Sequence, residues 1–427
     1  MLFVHGSLAM GGIETFYVRM AQARKEQGLT TKIVLLSQES KSNKELVSKA
    51  RECADIYFLE DFIQPIFAQS WSMFYQLSLL YPLRSEIVKE ILDSVESVHV
   101  SNGFCAHMAL RFASSAGREL PVTIGLYHSM EFCWGRNLKS LPFFEKCNRD
   151  FFNTLHQHHA LIFFTEKMVE FYSSMIGKDF SNVSVFPLGV IDQRKQVQPK
   201  IFSNRLKIGT VGRLVDFKSY NLWMLDVVDK ILAQGVEVSY DIYGEGPLKE
   251  QISERISELK LDAVVKLKGG FNYSEFSNVV ADFDVFVGSG TALIEASGLG
   301  VPSIVGIESI TEAETYGFFS EIPGFSYNED NLYPKKDVMS LLLGFYNSSE
   351  GEKTLLSHAH VKKSEIFSME ACVKNFAEVR GFAVLKSTLG KRQFWLFRVL
   401  YTASVGTYSV RLKLAGKTLS QVVSSAE

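Results

Sequence analysis

Short apolar runs alternate with helical patterns along almost the whole chain, and this rhythm restricts the fold more than any other feature. Strands fit Leu2–His5, Lys32–Leu36, Asp55–Leu59, Ser97–Ser101, Val122–Tyr127, Leu161–Phe164 and Val183–Phe186, with amphipathic segments such as SEIVKEIL and FFEKCNRDFFNTLHQ between them. After residue 205 the rhythm resumes, with strands at 207–212, Val236–Tyr243, Val264–Leu267 and Val285–Val287, and with helices at 220–233, Leu248–Leu259 and Tyr273–Ala281. Regular alternation of this kind predicts α/β architecture with parallel sheets covered on both faces. At 427 residues the chain is too long for one core, so two domains are expected. Residues 187–202, PLGVIDQRKQVQPKIF, lose periodicity and gain Gln, Lys and Pro. The expected division is a first domain over 1–190, a linker over 191–205, a second domain over 206–367, a closing helix over 368–384 and a basic aromatic tail over 385–427.

Strand-to-helix connections of a parallel sheet lie at its carboxyl edge, where α/β proteins bind ligands. KIGTVGRLVDFK, residues 207–218, is such a connection, and it brings Arg213 and Lys218 to one crevice. A guanidinium fork and a mobile ammonium together suit a diphosphate; two solvated surface cations are the plain alternative. Gly288, Ser289, Gly290 and Thr291 form a small-residue turn into a short helix, whose N-terminus favours phosphate. Glu295, further along that helix, is suited to accept from the two hydroxyls of a ribose diol. Near the N-terminus Gly11 and Gly12 open a helix with Glu14 in its first turn. That connection lacks both G-x-G-x-x-G and the G-K-[ST] ending, so alone it reads as a tight turn. His128 directly follows a strand and is the histidine whose placement favours ligand contact. His99 lies inside a strand and is expected to pack, and His156, His158 and His159 gather at a helix C-terminus. Asp282-Phe283-Asp284 has an Asp-x-Asp form, but two carboxylates at the start of a strand offer too few oxygens for a hard cation, so no metal site is expected.

Residues 62–83 carry no charge, yet three Gln, three Ser and prolines at 65 and 82 predict a buried or interfacial helix rather than a membrane span. Net charge is −2, which gives no field to recruit nucleic acid. Cys53, Cys105, Cys133, Cys147 and Cys372 show no metal spacing and are expected to be reduced thiols. LFVH follows Met1 at once, leaving no room for a signal segment; a cytoplasmic protein is expected. From 381 to 427 there are seven Lys or Arg against one acid, Glu427, a net +6, with Phe394, Trp395, Phe397 and Tyr401 among them. Such a tail suits either an anionic inner leaflet or packing against the first domain.

GGIE near the N-terminus, a His after a first-domain strand, PLGV, VGRLVDFK, YGEGPLKEQI and ALIEASGLGVPSIV together resemble, over about residues 1–380, the retaining glycosyltransferases of family 4. The resemblance implies the GT-B architecture, two Rossmann-like domains facing a cleft that holds a nucleotide-sugar donor. By it, Arg213 and Lys218 hold the donor diphosphate and Glu295 the ribose; the Gly12 backbone faces the phosphates, and His128 stands close to the transferring sugar. It further implies a hexosyltransferase-like enzyme that transfers sugar to a saccharide or lipid-linked acceptor, with retention, without a metal, and with no cofactor beyond the nucleotide-diphosphate sugar itself. The chain departs from the family's Glu-x7-Glu pattern: Val287 occupies the first position. A nucleotide-sugar epimerase of the same fold and a noncatalytic partner protein are the alternatives.

Overall fold

The apolar runs at the centre of each sheet become strands because nearly every residue in them is covered on both faces, leaving the backbone ladder as the partner for their peptide groups, while the edge strands Asp55–Tyr57 and Val265–Gly269 are partly exposed. In the computed structural model β1 (Leu2–His5) is buried throughout, as is β4 (Val98–Val100). Residues 1–9, 12–64, 75–128, 130–135, 138–192, 202, 205–270, 275–379, 381–383, 391–417, 419 and 422 are described. The chain forms two units, Met1–Leu188 with Cys372–Glu427, and Gly189–Ala371.

In the first unit β2 (Lys32–Leu35), β3 (Asp55–Tyr57), β5 (Pro121–Leu126), β6 (Leu161–Phe163) and β7 (Ser184–Val185) join β1 and β4 in the order β3-β2-β1-β4-β5-β6-β7, parallel throughout. The order reverses at β1, so the carboxyl ends of β1 and β4 flank a topological switch point. The second unit repeats the plan with β8 (Leu206–Val211), β9 (Val238–Tyr243), β10 (Val265–Gly269), β11 (Val285–Gly288) and β12 (Ser303–Val305), ordered β10-β9-β8-β11-β12 and again parallel. Here the reversal falls between β8 and β11, the two strands carrying the VGR and GSGT turns. A short antiparallel pair, β13 (Glu314–Thr315) and β14 (Lys336–Asp337), follows.

Six helices matter below: α1 (Gly12–Glu26), α2 (Phe143–Gln157), α3 (Tyr220–Ala233), α4 (Gly290–Gly298), α5 (Met369–Glu378) and α6 (Lys391–Leu414). The boundary between units falls at residues 188 and 371, earlier than the expected linker at one side and inside the expected closing helix at the other. Most of that linker, 193–201, lies outside the described residues. Ile191 bridges to Ser368 within the second unit, while Phe376 of α5 sets its ring against Phe16, His99, Phe164 and Phe186 of the first. β15 (Phe382–Ala383) then pairs antiparallel with β5.

The tail resumes as α6, which packs one face on α2: Tyr401 and Val405 are buried, the Tyr401 hydroxyl donates to Asn148 Oδ1 at 2.9 Å, and Ser404 Oγ accepts from Phe144 N at 3.3 Å. Of the uncharged stretch 62–83, residues 65–74 lie outside the described residues. Its ends, buried Phe62 and Ile63 and the 3-10 turn Tyr75–Leu79, belong to the first core, and Ile63 bridges Leu83. No described helix is long and apolar enough to cross a membrane.

Candidate functional site

β8 runs LKIGTV with only Lys207 short of full burial, and delivers Gly212-Arg213 to the sheet's carboxyl edge. The turn after β9 is stitched to this one. Gly212 N donates to Tyr243 O at 2.9 Å, Leu214 N to Glu245 O at 3.0 Å, and Leu248 N to Leu214 O at 3.1 Å. The approach is so close that a Cβ on Gly244 would stand 1.9 Å from the Gly212 carbonyl oxygen, which is why YGEGP needs its glycine there. The segment preceding α3 then carries Lys218 back over the Gly212 turn.

Arg213 is exposed, Lys218 half-buried, and both line a pocket of about 370 Å³ together with Tyr243, Phe276, Ser289 and Thr291. Burial holds the Lys218 ammonium below its ordinary value; the Glu308 carboxylate raises it and the Arg213 charge lowers it further. An anion entering between the two cations relieves that repulsion.

α4 supplies the pocket's other wall. Of the expected four-residue turn, Ser289 and Thr291 line the pocket. Gly288 is the last residue of β11, its carbonyl accepting from Gly306 N at 2.7 Å, and the Gly290 amide is taken by Asn328 Oδ1 at 2.9 Å. Gly290 has φ +65°, which accounts for its glycine. Thr291 and Ala292, in the first turn of α4, line the pocket, so the positive end of the helix dipole lies at its wall. Glu295 stands half-buried on the second turn of α4, outside the pocket lining. Asp284 is buried and clamps the start of β8: its Oδ2 accepts from Lys207 N at 2.9 Å and its own N donates to Lys207 O at 2.7 Å.

Sequence reasoning missed Glu308. It leaves the carboxyl end of β12, and its Oε1 accepts the Ser289 hydroxyl at 2.7 Å. No spacing motif marks it; the strand-end position was the one available signal.

In the first unit, β5 presents His128 half-buried, its Nδ1 accepting from Met130 N at 3.2 Å, which leaves Nε2 to carry the proton in the neutral ring. Gly12 is the exposed first residue of α1, with nothing within 4 Å of where a Cβ would stand; Gly11 lies outside the described residues. At the switch point a chain of contacts not foreseen from sequence runs from Ser101 Oγ to His5 Nδ1, 2.7 Å, and from His5 Nε2 to Glu14 Oε1, 3.4 Å. Burial pushes the Glu14 carboxyl up, but the His5 bond and charge leave it below its ordinary value. His99 is buried between Thr123 and Tyr127, as a packed histidine.

With this geometry in view, known proteins resemble the chain in two ways. The family model of glycosyl transferases group 1 matches residues 192–313, the part of the second unit holding Arg213, Lys218 and α4. The UDP-N-acetylglucosamine–peptide N-acetylglucosaminyltransferase GtfA subunit of Streptococcus gordonii is 28% identical over 128 residues, 29% of this chain and 24% of that protein. The putative colanic acid biosynthesis glycosyltransferase WcaL of Escherichia coli K12 is 28% identical over 153 residues, 32% of this chain and 37% of that one. The chain thus aligns with only about a quarter to a third of the length of these relatives. In fold, a glycosyltransferase from Rickettsia africae superposes with a TM-score of 0.59 at 15% identity, covering 88% of this chain and 96% of that one. Anabaena Alr3699/HepE in complex with UDP superposes with a TM-score of 0.55 at 16% identity, covering 88% and 98%. The chain has the two-unit α/β fold of GT-B glycosyltransferases, and a stretch of its second unit is matched by the model of the glycosyl transferases group 1.

Proposed function

We propose that the chain transfers a sugar from a nucleoside-diphosphate sugar to an acceptor hydroxyl, with retention, in the synthesis of a cell-surface polysaccharide or glycolipid. The observation that carries this reading is the convergence of Arg213, Lys218 and the N-terminus of α4 on one pocket. Charge grows on the leaving diphosphate as the glycosidic bond breaks, and preorganised cations and backbone amides stabilise that charge without reorganising. Glu295 receives the ribose hydroxyls and His128 serves the sugar side, as the resemblance to retaining family 4 enzymes implies. The two cations take the role that a metal ion fills in other sugar transferases. Names among the relatives support the substrate class: one transfers N-acetylglucosamine from UDP, another is assigned to colanic acid biosynthesis. We place the acceptor, a saccharide or lipid-linked saccharide, at the cytoplasmic membrane face, with α6 as the contact.

Val287 favours one second reading. It is fully buried in β11, so the first carboxylate of the family's Glu-x7-Glu pattern is missing, as suits a noncatalytic partner that keeps the fold. Thermal stabilisation by a panel of nucleotides and UDP-, GDP- and ADP-sugars, followed by product analysis with the ligand that binds, separates the readings. A rise in melting temperature lost in Arg213→Ala, with release of nucleoside diphosphate and inverted or retained product resolved by NMR, tests transfer and retention together. Binding without turnover supports the noncatalytic partner, and no shift with any member removes the pocket assignment.

A further inference from the structure

A fixed carboxylate stands against the wall of the pocket. Glu308 lies just behind the lining, and its position is over-determined. Its backbone N donates to Asn328 O at 2.8 Å, and the next residue's amide, Ser309 N, donates to Phe217 O at 2.7 Å, directly before Lys218 in the chain. Ser309 has φ +64°, a left-handed conformation uncommon for a non-glycine residue, so this loop is held in place against a local preference. The carboxylate takes the Ser289 hydroxyl at 2.7 Å, which points that hydroxyl's proton away from any phosphate in the pocket. Glu308 and Lys218 interact electrostatically, while the pocket's other carboxylate, Glu245, is exposed and paired with Lys249 at 2.9 Å.

The terminal phosphorus of a donor diphosphate carries one ester to the sugar and one anhydride bond, so it has no second ionisation there. The free nucleoside diphosphate has one, with a pKa of about 6 for a phosphate monoester, so at pH 7.5 it carries about one negative charge more. A carboxylate fixed beside the cation that grips the diphosphate opposes the product more than the donor. We propose that Glu308 is the counter-ion of Lys218 and the residue by which the site favours a nucleoside-diphosphate sugar over the free nucleoside diphosphate. Its role rests on the reading of the pocket as a diphosphate site. The consequence is kinetic: the leaving diphosphate, once freed of sugar, is held less tightly than the donor and makes way for the next one.

The test uses the full chain and the variant Glu308→Gln, which keeps an oxygen acceptor for Ser289 and removes the charge. ADP, CDP, GDP and UDP are titrated calorimetrically at pH 7.5 into both proteins, and the tightest binder is compared with its β-methyl ester, which has the donor's charge and no sugar. The expected result is a gain of about three- to tenfold in affinity for the free diphosphate in Glu308→Gln and a smaller gain for the ester. Unchanged or weaker binding of the diphosphate, or equal gains for the two ligands, overturns the role of Glu308 while the pocket assignment stands. Failure of all four diphosphates to bind either protein overturns the pocket assignment itself.

Discussion

The Lys218 ammonium rests over Gly212, 3.0 Å from the point at which a Cβ on that glycine would stand. The glycine of the VGR turn is thus the seat of the second cation, and the spacing of Arg213 and Lys218 in sequence is closed up by the fold into one pocket. Lys218→Ala and Arg213→Ala should each weaken nucleoside-diphosphate binding by about 1.5–3 kcal/mol, roughly ten- to a hundredfold, as loss of a charge-assisted hydrogen bond does. Because burial and the Arg213 charge lower the Lys218 ammonium, wild-type affinity should fall as pH rises through that lowered value. Removing Arg213 removes one cause, so in Arg213→Ala the fall should move to higher pH. Calorimetric titrations across pH check the sign, and a fall that moves to lower pH would refute it.

Glu295 is half-buried on α4 and is expected to meet the ribose rather than the phosphates. A carboxylate that accepts from both hydroxyls loses one bond when the ligand is 2′-deoxy. Wild type should therefore prefer the nucleoside diphosphate it binds tightest over the 2′-deoxy form of that nucleotide by about tenfold, and Glu295→Ala should bind the two alike. A preference that survives the substitution would take Glu295 away from the ribose.

Asp284 is a structural acid. Its carboxylate satisfies the Lys207 amide at 2.9 Å where β8 begins beside β11, and it is 3% exposed. Asp284→Ala leaves that amide without a partner and should cost about 1–3 kcal/mol, lowering the melting temperature of the second unit by several degrees. Nucleotide affinity below the transition should be unchanged, which a ligand-site role for the Asp-x-Asp motif would not allow.

Much of this was legible in the sequence because the central strands of both sheets are parallel and buried. Buried parallel strands read as apolar runs, and the connections after them fall at the ligand edge whatever the details, so Arg213, Lys218 and His128 could be placed without coordinates. The exact roles within the GSGT turn were not legible. Which amides of the turn are left free of a protein side chain depends on Asn328 taking the Gly290 N–H, a contact across 38 residues. The same holds for Glu308 against Ser289 and for His5 between Ser101 and Glu14: each is set by strand order, not by local spacing. The tail's helix was missed for a different reason, since α6 is apolar on two faces and shows no single amphipathic stripe.

Glu131, three residues after His128 in the connection that leaves β5, is half-buried near Glu145 in the first unit. Burial and then the Glu145 carboxylate push Glu131 up to about 8; burial pushes Glu145 up to about 7 against its bond to Arg149. Both folded values lie above that of an unfolded glutamate, so the folded chain holds protons that the unfolded chain has released. Their contribution to stability is complete below the ordinary glutamate value and is lost as pH rises towards 8. The melting temperature should fall between pH 5 and pH 8, about 2–4 °C for each kcal/mol in a unit of this size, and Glu131→Gln should flatten the fall. A melting temperature independent of pH in wild type would refute the shift.

The exposed face of α6 asks for a partner. Trp395, Leu396, Leu400, Val410 and Leu414 are 57%, 50%, 48%, 50% and 86% exposed. Leu396, Leu400, Ala403, Val410 and Leu414 recur at helical spacing, so they form one stripe on the side away from buried Tyr401 and Val405. Between 391 and 417 there are six Lys or Arg and no acid, a pattern that fits an anionic lipid surface, with the stripe among acyl chains and the cations among headgroups. Leu400→Glu with Val410→Glu should reduce co-sedimentation with phosphatidylglycerol vesicles by at least about tenfold, since each apolar side chain buried is worth about 1.5–3 kcal/mol, and should leave the melting temperature unchanged. Binding to phosphatidylcholine vesicles should be weak in both proteins, and added salt should weaken the wild-type interaction with the anionic ones. Equal sedimentation of wild type and variant would reject the lipid contact, and a dimer abolished by the same two substitutions without lipid would assign the stripe to a second copy of the chain.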